Sequence, residues 1–340
     1  MERRESGAIR VLQVGLGPIG LGVARQLAAR PGFNLVGAVD PRPDLVGRDL
    51  AEVCGLVGAG GSAGTVDGDL ASALQALRPD AAVVCTSSGL ERVAPTLEAC
   101  LAAGAAVVST TEELAYPWRE RPDLARRLDE AARRAGRALL GVGVNPGFAM
   151  DALPLVLTAV CERVDKVTVR RIQNAAYRRL PFQQKIGAGL TPEAFAERVA
   201  TGQVRHVGLA ESIGMIAAAL GWQLDEITDE IAPKIADGPV ASDQLAVEAG
   251  QVCGLIQTGT GRQNGQVRIR LEMEAYLGAP ESYDEVEIEG SPPLRSRVEG
   301  GIHGDIATVA ITVNAIPRAV AAPPGLLTVK DLPPAYCWVG

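Results

Sequence analysis

Short apolar runs alternate with stretches of helical periodicity through the N-terminal part of the chain. The apolar runs are Ile9–Val14, Asn34–Val39, Ala81–Cys85, Ala105–Val108 and Ala138–Val144. The main stretches of helical spacing between them are Ile19–Ala29, Glu91–Ala102 and Pro122–Ala135. Strands that are connected through single helices pair in parallel, and a parallel sheet is buried on both faces, so its strands are apolar throughout. The pattern predicts an α/β domain with a doubly wound parallel sheet.

The pattern changes after Asn145-Pro146-Gly147, a turn signal at which we expect the chain to enter a second domain. Longer alternating strands are predicted at Val164–Ile172, Val267–Leu277 and Glu285–Glu289. Alternation of this kind indicates an open sheet with one face in water. Helices are predicted at Pro192–Thr201, Leu209–Leu220, Ser242–Cys253 and Gly300–Ile316, the last of them ended by Pro317. The second part is therefore predicted to be an α+β domain with an open mixed sheet.

A glycine-rich motif joins the first predicted strand to the first predicted helix. It reads Gly15-Leu16-Gly17-Pro18-Ile19-Gly20. The first glycine of such a motif permits a tight turn, the second lets the backbone approach a pyrophosphate, and the third allows close packing of helix and strand. The helix N-terminus then offers its free N–H groups to the anion. In this setting the motif predicts a Rossmann-type domain that binds a nicotinamide cofactor.

The residues after the second strand leave the choice between NAD and NADP open. Asp40 ends that strand, about 20 residues past the motif, where an acid binds the ribose diol of NAD. Arg42 follows in the same turn and could pair with the 2′-phosphate of NADP, as could Arg48. For both arginines a solvated loop charge is an equally good interpretation. We expect NAD or NADP, with use of both compatible with these residues.

Polar turns follow two neighbouring strands of the predicted parallel sheet. One contains Thr86, Ser87 and Ser88, and the other contains the adjacent glutamates Glu112 and Glu113. Ligands of doubly wound folds bind at the carboxyl ends of the strands, so we expect both turns to line the cofactor cleft. A carboxylate at this position is the best available charged group for acid–base chemistry.

The same glutamates also fit a structural interpretation. Thr110 with Glu113, or Ser109 with Glu112, has the spacing of a capping box at a helix start. We assign the chemistry to Glu112 and the cap to Glu113, with the reverse assignment left open.

Composition and charge exclude several kinds of function. The formal net charge is −7 and the chain has no basic stripe, which argues against nucleic acid and anionic membranes as partners. No apolar run reaches the ~20 residues of a membrane helix, and we see no signal peptide. The only histidines are His206 and His303, so a multi-histidine metal site is impossible and no metal is expected. The six cysteines form no C-x-x-C pair, from which we expect a reducing, cytoplasmic location without disulfides.

Four motifs in one order identify a family. They are Gly15-Leu16-Gly17-Pro18-Ile19-Gly20, Ser109-Thr110-Thr111-Glu112-Glu113-Leu114, Gly143-Val144-Asn145-Pro146-Gly147-Phe148 and Gly301-Ile302-His303-Gly304-Asp305. Together they resemble the 2,4-diaminopentanoate dehydrogenase and native amine dehydrogenase family, whose members are relatives of dihydrodipicolinate reductase. The stretch from Arg178 to Gly187 is similar to the diaminopentanoate branch.

The resemblance implies NAD(P)-dependent oxidative deamination of an amine to a ketone and ammonia, reversible as reductive amination. It implies that a glutamate of the 109–114 turn, Glu112 or Glu113, is the catalytic acid and base. It also implies that the final helix returns to the nucleotide domain. The expected domains are then 1–148 with 303–340 for the dinucleotide, and 149–302 for the substrate and for a homodimer interface on its sheet.

Further residues are weaker candidates for cofactor or substrate contacts. At the crossover turn, Asn145 could contact nicotinamide or the substrate, although a structural turn asparagine before proline is an equally good interpretation. Phe148 in the same turn could contact the substrate. A substrate with a carboxylate needs a cation, for which Arg178 and Lys185, with the polar Gln184 beside them, are candidates. His303 could line the substrate pocket, although a structural role at a helix start is more common. His206 is predicted to lie in a surface loop, from which it could also gate the site.

Two other interpretations remain. Dihydrodipicolinate reductase itself, or a related imine or alcohol oxidoreductase, keeps the fold; its expected paired-histidine motif cannot be present in a chain with two separated histidines. A non-catalytic dinucleotide sensor would use Glu112 and Glu113 only as caps. The sequence does not identify the amine or ketone.

Overall fold

The computed structural model describes residues 7–56 and 64–339. The chain divides into two compact units. The first unit comprises Met1–Phe148 and His303–Gly340, and the second comprises Ala149–Ile302.

The strands, in chain order, are β1 (Ile9–Val14), β2 (Phe33–Val39), β3 (Val66–Asp67), β4 (Ala81–Val84), β5 (Ala106–Ser109), β6 (Ala138–Gly141), β7 (Arg163–Asn174), β8 (Glu226–Ile235), β9 (Val240–Ala241), β10 (Ala246–Val247), β11 (Val252–Gln263), β12 (Gln266–Tyr276), β13 (Tyr283–Ser291), β14 (Leu294–Glu299) and β15 (Gly325–Leu327). The α-helices are α1 (Pro18–Ala29), α2 (Leu50–Cys54), α3 (Leu70–Leu77), α4 (Leu90–Ala102), α5 (Pro122–Ala135), α6 (Ala152–Thr158), α7 (Leu180–Lys185), α8 (Pro192–Ala200), α9 (Leu209–Leu220) and α10 (Gly304–Ala321). Short 3₁₀ turns occupy Glu112–Leu114, Ala175–Tyr177 and Val329–Asp331.

The first unit is built on a seven-stranded parallel sheet in the order β15-β6-β5-β4-β1-β2-β3. Apolar clusters cover both faces, one under α1 and α10 and the other under α3, α4 and α5. The predicted doubly wound fold is confirmed. The strand order reverses between β1 and β4, and the carboxyl ends of those strands form the crevice in which such folds bind ligands.

The second unit is built on a six-stranded mixed sheet in the order β14-β13-β7-β12-β11-β8. Strands β7 and β12 pair in parallel, and the other neighbours pair antiparallel. Helix α9 packs closely on one face, where a methyl group added to Gly259 or Gly261 would lie 2.8–2.9 Å from Ile213 side-chain atoms. The predicted open mixed sheet is confirmed.

Two sequence predictions of helix extent are wrong. The stretch Ser242–Cys253 is not helical but contains β10 and the start of β11. Ser242 Oγ accepts the N–H groups of Gln244 and Leu245, a local turn that competes with helix formation. Pro317 does not end the last helix, because α10 continues to Ala321 with Ile316 and Ala319 buried in the core. Tertiary packing therefore outweighs the backbone hydrogen bond that proline cannot make.

Among the helices of the described ranges, none combines the length and the hydropathy that crossing a membrane requires.

Candidate active site

The glycine motif folds as the tight turn that the sequence predicts. Gly15 has φ of +88°, and a methyl group on it would lie 2.5 Å from the carbonyl oxygen of Cys85. A methyl group on Gly20 would lie 1.9 Å from the carbonyl oxygen of Gly15. Both positions therefore require glycine to keep strand, turn and helix in contact.

Gly17 differs from the other two glycines of the motif. It is the N-cap of α1, no side chain caps that helix end, and the space beside its Cα is open to 4 Å. Pro18, which has no N–H, takes the first helical position, as is common at helix starts. The remaining first-turn N–H groups with this open space form a cradle for a phosphate group, and the loop fits a dinucleotide.

The Gln13 side chain stabilises the glycine loop, a role that was not predicted from the sequence. Its side chain is fully buried, and its Nε2 donates to the carbonyl oxygens of Gly15 at 2.9 Å and Val14 at 3.3 Å. Cys85 follows β4 next to this loop, and burial raises the pKa of its thiol. The only sequence signal is a polar residue inside an apolar strand.

Asp40 and Arg42 lie together at the end of β2. Asp40 accepts the backbone N–H of Leu16 at 2.8 Å, so this carboxylate also holds the glycine loop. Arg42 Nε donates to Asp40 at 3.0 Å, and Arg42 Nη2 donates to the carbonyl oxygen of Leu16 at 2.9 Å. Burial would raise the pKa of Asp40, but the hydrogen bonds from Arg42 and Leu16 outweigh burial and hold it below its usual value.

The two adjacent glutamates have different surroundings. Glu113 Oε2 accepts the backbone N–H of Leu90 at 2.8 Å, at the first residue of α4, and Arg121 lies 4.0 Å from Glu113 Oε1. The Glu112 carboxylate is half-buried and makes no hydrogen bond or ion pair with any residue in the described ranges 7–56 and 64–339. Glu113 thus caps a neighbouring helix and leaves Glu112 as the unpaired carboxylate of the turn.

The predicted capping box does not form. Thr111 precedes the 3₁₀ turn Glu112–Leu114 without a side-chain cap, and its hydroxyl donates instead to the carbonyl oxygen of Ser87 at 2.8 Å. Ser109 Oγ donates to the carbonyl oxygen of Val84 at 3.0 Å. These side chains fasten the turn after β5 to the turn after β4, because their partners lie in the adjacent strand end.

The remaining cofactor candidates of the first unit lie at the same sheet edge. Ser87 and Ser88 are half-buried, and the Ser88 carbonyl accepts the N–H of Glu113 at 3.3 Å. Thr86 is exposed and directly follows Cys85, whose carbonyl oxygen lies next to Gly15. Asn145 is buried after β6, and Phe148 is half-buried. Except for Phe148, these residues follow the carboxyl ends of β4 and β6, and the structure thus brings them to the ligand-binding edge.

His303 belongs to the first unit and begins its last helix. The side chain is exposed, and Nδ1 accepts the N–H of Ile306 at 3.4 Å as the N-cap of α10. This contact gives His303 the structural role that the sequence favoured.

In the second unit, the predicted substrate residues lie around α7. The guanidinium of Arg178 stacks 4.2 Å above the Phe182 ring and donates from Nη1 to Gln173 Oε1 at 3.1 Å. Gln183, fully buried, donates to the carbonyl oxygen of Arg178 at 2.9 Å. Gln184 and Lys185 are exposed. Arg178 is therefore held in place, whereas Lys185 projects into solvent.

A buried ion pair lies beside this segment and was not predicted. Arg171 and Asp284 are 3% and 1% exposed and are paired through Arg171 Nη1. Both also hold Ile302: Arg171 Nη2 donates to its carbonyl oxygen, and Asp284 accepts its N–H, each at 2.7 Å. Gln173 adds a bond of 3.2 Å to the same carbonyl oxygen, which links the pair to Arg178.

His206 lies in a loop, as predicted, but its side chain is half-buried rather than fully at the surface. Gln257, fully buried on β11, binds both the N–H and the carbonyl oxygen of His206 at 2.9 Å and donates to Asp229 at 2.8 Å. Burial, with the positive charges of Lys185 and Arg171, lowers the pKa of His206 to about 3. The imidazole is consequently neutral at neutral pH and is part of the packed unit.

No group of three or more His, Cys, Asp or Glu side chains within the described residues could hold a metal ion. The glycine cradle, the polar turns and the carboxylate at one sheet edge define the class: a two-unit dinucleotide-dependent oxidoreductase.

Comparisons with known proteins identify the family. The family model of the 2,4-diaminopentanoate dehydrogenase C-terminal domain matches residues 148–340 of this chain. The 2,4-diaminopentanoate dehydrogenase of Acetoanaerobium sticklandii is 31% identical, over 96% of this chain and 93% of that protein. The chain therefore belongs to the 2,4-diaminopentanoate dehydrogenase family, and the family resemblance drawn from the four motifs is confirmed.

Two amine dehydrogenases are also similar to this chain. That of Streptomyces virginiae is 26% identical over 94% of each chain. The solved structure of an amine dehydrogenase from Mycobacterium smegmatis superposes with a TM-score of 0.83 at 28% identity, covering 97% of each chain. Together with the family match, these similarities make the chain an oxidoreductase of the amine dehydrogenase type.

Proposed function

We propose that the chain catalyses reversible oxidative deamination, in which an amine and water give a ketone and ammonia while NAD⁺ or NADP⁺ is reduced. A bound nicotinamide dinucleotide supplies the hydride acceptor, and Gly15, Gly17 and Gly20, with the uncapped start of α1, are the residues that would hold it. The use of both NAD and NADP is part of the proposal, because Asp40 and Arg42 both stand at the end of β2.

Glu112 is the proposed acid and base. The observation that carries this assignment is the difference between the two glutamates: Glu113 is bound to Leu90 at 2.8 Å, whereas the Glu112 carboxylate has no partner among the described residues. Loss of hydride from the carbon that bears nitrogen leaves a positive iminium, which a nearby carboxylate stabilises. The same carboxylate takes a proton from attacking water, or from ammonium in the reverse direction.

The proposed substrate is an amine that carries a carboxylate, of the 2,4-diaminopentanoate type, with simple alkyl amines as the alternative. Arg178 supports this choice, because Gln173 and Phe182 fix its guanidinium in the second unit and a fixed guanidinium binds a carboxylate in bidentate fashion. Lys185 is exposed nearby in sequence and adds positive charge.

A homodimer built on the second unit's sheet is proposed for the assembly. One sheet face carries a network in which Arg170 contacts Glu272, Glu285 and Glu287 at 2.9–3.1 Å. Arg270 and Arg295 pair with Glu272 and Glu285 of the same network. Three arginines therefore balance three glutamates, and a second copy can cover the face without burying a net charge. Analytical ultracentrifugation at micromolar concentration tests this, and a monomer would contradict it.

A cytoplasmic location is also proposed, since the six cysteines are free thiols.

The experiment that tests the reaction is a spectrophotometric assay of NAD⁺ and NADP⁺ reduction with matched amines, with and without a carboxylate. We expect reduction that depends on amine and a preference for the carboxylate-bearing members. Cofactor binding without turnover of any amine would support a dinucleotide sensor and contradict the proposal. A preference for alkyl amines would keep the reaction and reject the assignment of Arg178.

A further inference from the structure

The acceptor capacity of Asp40 is used up within the first unit. An ionised carboxylate offers about four acceptor sites. Oδ1 accepts the backbone N–H and the Nε–H of Arg42, both at 3.0 Å, and Oδ2 accepts the N–H of Leu16 at 2.8 Å and Nη2 of Arg42 at 3.3 Å. The residue is 5% exposed. No site remains for a further donor while Arg42 stays in this position.

This occupancy conflicts with the ordinary role of an acid at the end of the second strand. Such an acid accepts hydrogen bonds from the ribose hydroxyls of NAD. Here the two backbone donors belong to the turn and to the glycine loop, so only the Arg42 guanidinium can be displaced. An unphosphorylated ribose must therefore break the ion pair between Arg42 and Asp40 before it can use the carboxylate.

A phosphorylated ribose requires no such rearrangement. The Arg42 side chain is 50% exposed, while its Nε and Nη2 are anchored to Asp40 and to the Leu16 carbonyl oxygen. Its Nη1 makes no hydrogen bond within the part of the chain that the structure describes. An anchored guanidinium with a spare edge is a suitable partner for a phosphate, which binds arginine through charge-assisted hydrogen bonds.

We propose that Arg42 is the residue that selects the cofactor, because it binds the 2′-phosphate of NADP and, in the same position, withholds Asp40 from the ribose of NAD. This inference rests on the proposed function and deepens it. NADP binds to the closed pair, whereas NAD binds only after the pair opens. Binding of NAD is thus possible but weakened by the ion pair.

Titration of NADH and NADPH by fluorescence, without any amine, tests the inference independently of turnover. We expect Arg42→Ala to raise the Kd of NADPH by about 10-fold or more, the size of a lost charge-assisted hydrogen bond. The same variant should lower the Kd of NADH severalfold, since Asp40 then has two sites for the ribose. Arg42→Lys keeps the charge but not the forked guanidinium, so its Kd values for NADPH and NADH should lie between those of wild type and Arg42→Ala.

Arg48→Ala tests the other arginine that could pair with the 2′-phosphate. Arg48 is about as exposed as Arg42 but pairs with Glu52 at 2.8 Å, so we expect both constants to stay close to wild type. A rise in the NADPH constant in Arg48→Ala but not in Arg42→Ala would overturn the inference. Thermal unfolding of each variant checks that the unit is folded. Equal weakening of NADH and NADPH in Arg42→Ala, or an unchanged ratio, would overturn the inference. Failure of the wild-type protein to bind either cofactor would instead contradict the proposed function.

Discussion

The Glu113 carboxylate accepts a hydrogen bond of 2.8 Å from the backbone N–H of Leu90, 23 residues earlier in the chain. Leu90 is the first residue of α4, whose N-cap, Gly89, provides no side-chain cap. Glu113 therefore supplies the missing cap from another loop. The bond also separates the roles of two adjacent glutamates, because the neighbouring Glu112 makes no comparable contact in the described ranges.

Glu113→Ala should destabilise the protein by about 1 kcal/mol, the usual value of a lost helix N-cap. Glu113→Gln keeps an acceptor oxygen and should lose less. Denaturant unfolding of both variants measures the difference. If Glu113→Ala has the same free energy of unfolding as wild type, the contact with Leu90 does not stabilise the protein.

The glycine motif gives a paired prediction. Gly20→Ala should lower the unfolding midpoint, because its methyl group would lie 1.9 Å from the Gly15 carbonyl oxygen. Gly17→Ala should leave the midpoint close to wild type, since nothing lies within 4 Å of the added methyl group. It should nevertheless weaken binding of the dinucleotide, whose pyrophosphate needs that space.

Thermal unfolding and fluorescence titration of both glycine variants check this prediction. Unchanged dinucleotide affinity in a folded Gly17→Ala protein would contradict the placement of the pyrophosphate at the start of α1.

The fold and the cofactor loop could be predicted because their signals are local. Continuous apolar strands, single connecting helices and the glycine spacing lie within short windows of sequence. The structure of the stretch Ser242–Cys253 could not be predicted. Its apolar residues have helical spacing, but the Ser242 side chain forms hydrogen bonds that stabilise a local turn instead of a helix.

Side-chain contacts between residues far apart in the sequence could not be predicted either. Arg171 and Asp284 are 113 residues apart in the sequence. Gln13 stands out only as a polar residue in an apolar strand, which gives no sign of its contact with the Gly15 carbonyl oxygen. Glu112 and Glu113 could be picked out as candidates, but only the distant contact with Leu90 distinguishes them.

The Arg171–Asp284 pair should behave as a buried, coupled unit. Arg171→Met or Asp284→Asn alone should cost about 3–5 kcal/mol, because each leaves the other group buried without its partner. The double variant should cost less than the sum of the two. Chemical denaturation of the three variants measures the coupling, and simple additivity would show that the two side chains act independently.

Acid lability should depend on His206. Its pKa is about 3 in the folded protein against an ordinary value of 6.5, so the unfolded chain binds the proton more readily. The stability due to a neutral His206 is therefore present above pH 6.5 and is lost as the pH falls toward 3. His206→Gln should flatten the dependence of unfolding free energy on pH in that window.

Gln203→Ala, which changes an exposed and uncharged side chain of the same loop, is the control for the His206 measurement. A pH dependence that is the same in His206→Gln and wild type would show that the imidazole is not buried in its neutral form.

The most direct test of the proposed chemistry compares Glu112→Gln with Glu113→Gln in amine oxidation, with cofactor affinity measured alongside. Glu112→Gln removes the proton-accepting group but keeps its shape. It should lose about 100-fold or more in turnover, as expected for a general acid–base residue, while the Kd of the cofactor stays unchanged. Glu113→Gln should retain most of its turnover. Full activity in Glu112→Gln together with loss in Glu113→Gln would contradict the assignment and transfer the role to Glu113.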